Sequence, residues 1–177
     1  MASAFPPSSI RPILNEVASL LTSRNETISI AETAAGGIIS ASLLSVPGAS
    51  KFYRGGLTLY TLESRIQFAG WTEENKKNYN GPNAEVVSGL AKNVRGKLGS
   101  TYSLCESGTA GPGGSGVTPN RKPDFVALAV ASEDGVVTEE TTTGANGDRE
   151  KNMVEFARLG LELLKRVISE KAEGPKI

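Results

Sequence analysis

The sequence predicts an α/β layered domain with a mixed sheet, and three observations carry that expectation. Segments rich in strand formers alternate along the chain with segments whose apolar residues recur at helical spacing, which is the pattern of a layered α/β unit. Residues 124–131 and 136–142 read as a hairpin about Glu133, Asp134 and Gly135, so part of the sheet is antiparallel. No repeat and no linker-like composition divides the 177 residues, so a single domain is expected.

In chain order, residues 1–9 hold two consecutive prolines and read as a disordered lead-in, with the domain over 10–170 and a tail over 171–177. Ile10, Ile13, Leu14, Val17, Leu20 and Leu21 share one face of a helix over 10–23, with Ser9 as its cap and Pro12 in its first turn. A strand over 27–32 leads into a helix at 36–45, closed by the proline-glycine turn "VPGAS". "GGLTLYT", 55–61, alternates and reads as a strand. A polar region around 70–82 precedes a helix over 84–98, whose apolar side carries Val86, Val87, Leu90, Ala91, Val94 and Leu98. "TYSLCES", 101–107, is a further strand, followed by the punctuated segment "GTAGPGGSGVTPNRKP". After the hairpin, a last helix runs from 148 to 170 with Val154, Ala157, Leu161, Leu164 and Ile168 inward.

Composition removes several functions. Lys plus Arg and Asp plus Glu both number 19, which leaves no electrostatic footprint for nucleic acid or an anionic membrane. No apolar run approaches the roughly 20 residues that span a bilayer, and the N-terminus lacks a secretory pattern. The single cysteine, Cys105, fits a reducing compartment, so a cytoplasmic location is expected. Histidine is absent altogether, which removes Ser-His-Asp and Cys-His chemistry and His-ligated metal sites. No carboxylate cluster of calcium-loop type stands in its place, so no metal is expected.

Three polar loops follow strand ends, at 32–37, 61–65 and 107–122, and ligands in such sheets collect where strand ends meet helices. "SIAETAAGG", 29–37, has the shape of a strand leading into a nucleophile turn, with Thr33 as the lone hydroxyl of the turn at 32–37, though such a threonine is more often a turn or cap residue. The glycine-rich "GTAGPGGSG" either cradles an anion with backbone N–H groups or simply connects, and it lacks the Gly-Lys-Ser/Thr ending of a P-loop. In "GANGDRE", 144–150, Asp148 can cap the last helix. Arg149 then stands in the first turn, against the macrodipole, either receiving an anionic ligand or paired to a nearby carboxylate. Cys105 reads as buried packing, and Trp71 as closing a core edge.

Taken together, "AETAAGG" (31–37), "SVPGASKFYRGGLTLYTLESR" (45–65), "SGTAGPGG" (107–114) and "GDRE" (147–150) resemble the CinA C-terminal domain family, the nicotinamide mononucleotide deamidases. The order and spacing match from about residue 10 to residue 168. The resemblance implies a three-layer α/β/α sandwich that hydrolyses the carboxamide of nicotinamide mononucleotide (NMN) to nicotinate mononucleotide and ammonia. It implies a small mononucleotide as partner, no cofactor, and a homo-oligomer. Members of the family usually read Ala-Glu-Ser-Cys-Thr-Gly-Gly where this chain has Ala31 to Gly37, so Thr33 stands at the nucleophile. They usually read Tyr-Ser-Asn-Glu-Ala-Lys where this chain has Tyr60 to Arg65, so Arg65 stands at the base. A Gly-Ala-Val-Ser motif is reduced to Gly81-Pro82-Asn83-Ala84. Tyr60 is retained beside Thr33 and Arg65 as the third implied catalytic position, and Glu32, Gly36, Gly37, Ser107, Gly108, Gly111, Gly113 and Arg149 remain as the implied ligand-holding set, with the phosphate near Arg149 and the 108–116 loop and the ring or amide near Ser107 and Tyr60.

The two departures differ in weight. A threonine keeps the hydroxyl and adds a methyl that restricts its rotamer. An arginine, with a reference pKa above about 12, stays protonated and cannot take a proton at neutral pH, although it can donate hydrogen bonds. Loss of a general base is worth about a hundred- to ten-thousand-fold in rate. The expectation is therefore a retained mononucleotide pocket with weak or absent amidase activity. The alternatives are an active amidase using Thr33 with a non-lysine base such as Glu32, and a non-enzymatic interaction module on the same fold.

Overall fold

The computed structural model of the chain describes residues 5–113 and 116–173. Its elements are α1 (Arg11–Ser23), β1 (Ile28–Glu32), α2 (Ile38–Leu44), β2 (Tyr53–Thr58), α3 (Leu62–Ala69), α4 (Glu73–Asn78), α5 (Ala84–Leu98), β3 (Tyr102–Gly108), β4 (Phe125–Ser132), β5 (Gly135–Thr142) and α6 (Arg149–Glu173), with short 3-10 turns at Ala49–Lys51 and Pro119–Arg121. The five strands form one sheet in the order β2-β1-β3-β4-β5. β2, β1 and β3 run parallel, and β4 and β5 are antiparallel to their neighbours. The mixed α/β sheet and the hairpin turn at Glu133–Asp134 are as the sequence reads.

Alternation along the strands sorts the core into two unlike layers. Ile28, Ile30, Tyr102, Leu104, Val126, Leu128 and Val130 face α1, α2 and α6 in the larger cluster. On the opposite face the middle of the sheet offers small groups to α5, among them Ala31, Cys105, Ala127, Ala129 and Ala131, with the larger Leu57, Phe125 and Val136 around them. Small side chains let that helix lie close to the sheet, where Val87, Leu90, Ala91 and Val94 fill the seam. Gly56 has a similar reason on the other side, since a Cβ there would come 2.5 Å from Ser40 Oγ of α2.

Several boundaries differ from the sequence reading. The cap of α1 is Ile10, not Ser9, and it makes no side-chain cap bond. The chain enters already turning, with the Ile10 N–H donating to Pro7 O at 2.9 Å, so no hydroxyl is needed there. Within the lead-in, residues 5–9 are placed and Pro6 is buried, while 1–4 lie outside the described residues. α6 continues through residues 171–173 of the expected tail, and 174–177 lie outside the described residues. The strand expected at 55–61 is shifted to 53–58, and the loop at 61–65 opens α3 instead, capped by Thr61 Oγ1 accepting from the Ser64 N–H at 3.1 Å. The polar stretch after it contains α4, started by a capping box between Thr72 and Asn75. α4 buries no residue, so it had no apolar stripe to read. No described helix is long and apolar enough to cross a membrane.

Candidate functional site

Because β2, β1 and β3 are parallel and adjacent, the loops at their C-terminal ends emerge on one edge of the sheet. β4 starts and β5 ends at that same edge, which brings the 143–148 loop there as well. The chain leaves β1 toward β2 and returns through α5 to β3 on β1's other side. The gap between β1 and β3 is therefore a topological switch point, the usual seat of a ligand in an open α/β sheet.

Two buried carboxylates build the turn after β1. Glu32 Oε2 accepts from the N–H groups of Gly37 and Ile39, both at 3.0 Å, and Oε1 accepts from Ser40 N–H at 2.8 Å. The first turn of α2 thus has its orphan donors satisfied by a charged side chain, in the place where the helix dipole favours one. Gly37, in the left-handed region at φ 99°, is the residue that lets the chain double back onto that carboxylate. Glu106 on β3 holds the other half, its Oε2 accepting from Thr33 N–H at 3.1 Å and Ala35 N–H at 2.9 Å. Both Glu32 oxygens are thereby occupied by backbone, so this carboxylate serves the turn and is not poised as a base.

Glu106 is fully buried and its Oε1 has no partner among the described residues. Burial raises its pKa to about 7; the N–H groups of Ala35 and Thr33 oppose the rise, and the charge of Glu32 adds to it. A carboxyl whose pKa is raised on folding binds more protons in the native state than in the unfolded chain. Its stabilisation is full below the ordinary range, near 4.5, and is lost as pH climbs through about 7. From pH 5 to pH 8 the unfolding free energy is expected to fall by about 2 kcal/mol through this group alone, and Glu106→Gln should flatten that decline in urea titrations at the two pH values.

Thr33 and Ser107 meet at the centre of the site. Thr33 Oγ1 donates to Ser107 Oγ at 3.1 Å, and both residues are buried. By alternation along β3, Ser107 lies on the face of Cys105, the side covered by α5 and α3. Arg65 of α3 occupies the same side and is 3% exposed. Its Nε donates to Leu59 O at 3.3 Å, and Leu59 in turn donates its N–H to Glu32 O at 2.7 Å, one residue before Thr33. Trp71 and Tyr79 each lie 5.0 Å from the guanidinium carbon. Burial pushes the Cys105 thiol well above its ordinary pKa, with Glu106 adding to the rise and the Arg65 charge opposing it.

At the rim, Arg149 Nη2 donates to the exposed Tyr60 Oη at 3.2 Å, with the guanidinium 5.9 Å from the ring centre. No carboxylate pairs with Arg149 among the described residues. Asp148 caps α6, its Oδ1 accepting from Lys151 N–H at 3.1 Å, as the sequence reads. Gly111 packs under Arg149, where a Cβ would lie 3.1 Å from Nη1. Gly36 adjoins Met153, and a Cβ at Gly113 would meet nothing within 4 Å among the described residues. Gly108 is held by packing instead, since a Cβ there would meet Phe156 at 2.5 Å and the Phe125 carbonyl at 2.8 Å.

Four further participants were not singled out from sequence. Glu106 was legible only as a charged residue at an inward position of a buried strand. Asp124, at φ 79°, accepts from the N–H groups of Asn146 and Gly147 at 2.9 and 2.8 Å. Asn152 donates to Ala110 O and to Asp124 Oδ1, both at 2.8 Å, which ties the glycine loop to the loop before α6. Desolvation works against the Asp124 charge, but the bonds from Asn152, Gly147 and Asn146 outweigh it and hold the carboxyl below its usual range. Tyr79 joins Trp71 in bracketing Arg65, and nothing in its sequence context marked it.

Residues 10–168 match the CinA C-terminal domain family model. A CinA-like protein of Fervidobacterium nodosum is 30% identical over 149 residues, covering 84% of this chain and 36% of its own length. One from Dictyoglomus thermophilum is 33% identical over 152 residues, covering 82% and 36%. The chain thus spans about a third of the length of these relatives. Among solved structures, the competence/damage inducible protein CihA from Agrobacterium tumefaciens superposes with a TM-score of 0.84 at 22% identity, over 95% of this chain and 99% of its own. A competence or damage-inducible protein from Enterobacter asburiae gives 0.81 at 21%, over 90% and 98%. The family match over nearly the whole chain, together with the shared fold, shows that the chain belongs to the CinA C-terminal domain family.

Proposed function

We propose that this domain is a nicotinamide-nucleotide amidohydrolase-like protein that binds a pyridine mononucleotide at the β1/β3 edge and hydrolyses it weakly or not at all. The observation that carries this reading is the Thr33–Ser107 hydroxyl pair, buried at the switch point with no basic side chain bonded to it among the described residues. The residue at the family's base position, Arg65, is a permanent cation bound to a backbone carbonyl. A hydroxyl with no base to take its proton is a poor nucleophile. Arg149, with no carboxylate paired to it among the described residues, supplies a cation for the phosphate beside the Asp148-capped start of α6. Calorimetry with NMN should show binding, while a coupled ammonia assay on the same sample should stay at the buffer level. Turnover abolished by Thr33→Ala would overturn the inactive part of the reading.

A second reading is favoured by one observation. Glu106 carries a carboxyl with pKa about 7 on the N–H of Thr33 itself, with one oxygen free. It is the better non-lysine base than Glu32, whose oxygens are taken. A pH–rate profile with an essential base near neutrality, lost in Glu106→Gln, would select this reading.

A further inference from the structure

Two Asn-Gly pairs occur in the chain, Asn80-Gly81 and Asn146-Gly147. In such a pair the glycine nitrogen can attack the asparagine carboxamide, because no Cβ on the glycine blocks the approach. A bond forms from the glycine N to the asparagine Cγ, the side-chain nitrogen leaves as ammonia, and a cyclic imide results. Water then opens the ring at either carbonyl, giving aspartate or isoaspartate. The sum is asparagine plus water going to acid plus ammonia, with nothing oxidised or reduced.

Both asparagines are exposed, so access to solvent does not separate them. The backbone bonds around them do. Asn146 N–H donates to Asp124 Oδ2 at 2.9 Å and Gly147 N–H to Asp124 Oδ1 at 2.8 Å. Asp124 is itself held by the fully buried Asn152, whose Nδ2 lies 2.8 Å from Oδ1. Turning the Gly147 nitrogen onto its neighbour's carboxamide would break two charge-assisted bonds at once.

At the other pair, Asn120 Nδ2 donates to the carbonyls of Asn80 and Pro82, both at 3.0 Å. Those bonds hold the flanking oxygens and leave the two reacting atoms alone. No described group accepts the Gly81 N–H or bonds the Asn80 carboxamide. Gly81 is buried, and a Cβ there would come 2.8 Å from Asn120 Nδ2 and 3.0 Å from Arg121 Cγ. An enclosed donor without an acceptor is costly. Ring closure removes it, because the imide nitrogen carries no hydrogen.

We propose that Asn80 is a self-modification site of the folded protein, converted to aspartate and isoaspartate by attack of the Gly81 nitrogen, while Asp124 protects Asn146. The product changes a hollow of about 390 Å³ that Asn80 lines together with Trp71, Tyr79, Asn75 and Asn83. Glu85 is the one charged residue lining it among the described residues, so a second carboxylate arrives there. Isoaspartate also reroutes the main chain through Cβ at the point where Asn120 clamps it. Asn120 O accepts from Thr109 Oγ1 at 2.9 Å, so the same clamp joins the modified loop to the start of the glycine loop.

The test is peptide mass spectrometry on the full chain held at mildly alkaline pH, with isoaspartate counted by enzymatic methyl labelling. Asn80 is expected to convert at least tenfold faster than Asn146, with isoaspartate confined to the Asn80 peptide. Asn80→Gln, whose longer side chain must close a larger ring, should remove that signal. In urea both sites lose their surroundings and should convert at comparable rates. Equal rates in the folded chain, faster conversion at Asn146, or an Asn80 that converts only in urea overturns the proposal. A difference that persists in urea overturns it as well, since the local sequence and not the fold would then set the rates.

Discussion

Replacing Glu32 with alanine is expected to lower the unfolding free energy by about 3–5 kcal/mol, measured by urea denaturation followed by circular dichroism. The substitution removes the acceptor of three N–H groups at once, those of Gly37, Ile39 and Ser40. None has another bond to fall back on in the first turn of α2, and Ile39 is fully buried. α2 has seven residues, too few to persist on propensity, so it depends on this anchor and on the packing of Ile39 and Leu43. Glu32→Gln should be milder, at about 2 kcal/mol, because one oxygen stays while the new NH2 faces a donor. A loss under about 1 kcal/mol in the alanine variant would show that the turn is held by packing alone.

The second large effect is a gain. Thr33→Ser and Arg65→Lys together are expected to raise ammonia release from NMN by about a hundred- to ten-thousand-fold over wild type, with neither single change sufficient. The physical reason lies in the enclosure around position 65. Position 65 is almost fully buried, and desolvation there disfavours the charged form of an ammonium, which can give up its proton as an arginine cannot. Serine at 33 then supplies a nucleophile without the methyl that restricts its rotamer. Continued silence in the double variant, with NMN still bound, would show that the remaining departures also matter, among them the altered Gly81–Ala84 stretch, where Asn83 caps α5 by accepting from Val86 N–H at 2.9 Å.

The sheet was readable because its strands carry continuous or alternating apolar runs, and β4 is buried along nearly all of its length. α4 was not, because a helix that buries nothing writes no stripe into the sequence. α3 buries mainly Arg65 and Ala69, so its inward face presents a charge where a pattern search expects an apolar residue. At the site, Thr33 was legible in its turn, Arg149 at the start of the last helix, and Tyr60 and Ser107 through the family motifs, and the structure joins them in two hydrogen-bonded pairs. The work of Glu32 and Glu106 was not legible. Their partners are backbone N–H groups, whose positions depend on the fold and leave no mark on side-chain identity. Asp124 and Asn152 escaped notice for the same reason, since they bind loops that come together only in the folded chain.

The narrow seam between α5 and the sheet has a practical consequence. Cys105, the chain's sole thiol, is sealed within it, protonated and out of reach of any reagent in solution. Local fraying at the rim leaves it covered, because β3 lies at the middle of the sheet with a strand on either side. A thiol-reactive dye therefore counts only molecules whose whole sheet has opened. The domain carries its own single-site label for complete unfolding, silent in every folded molecule.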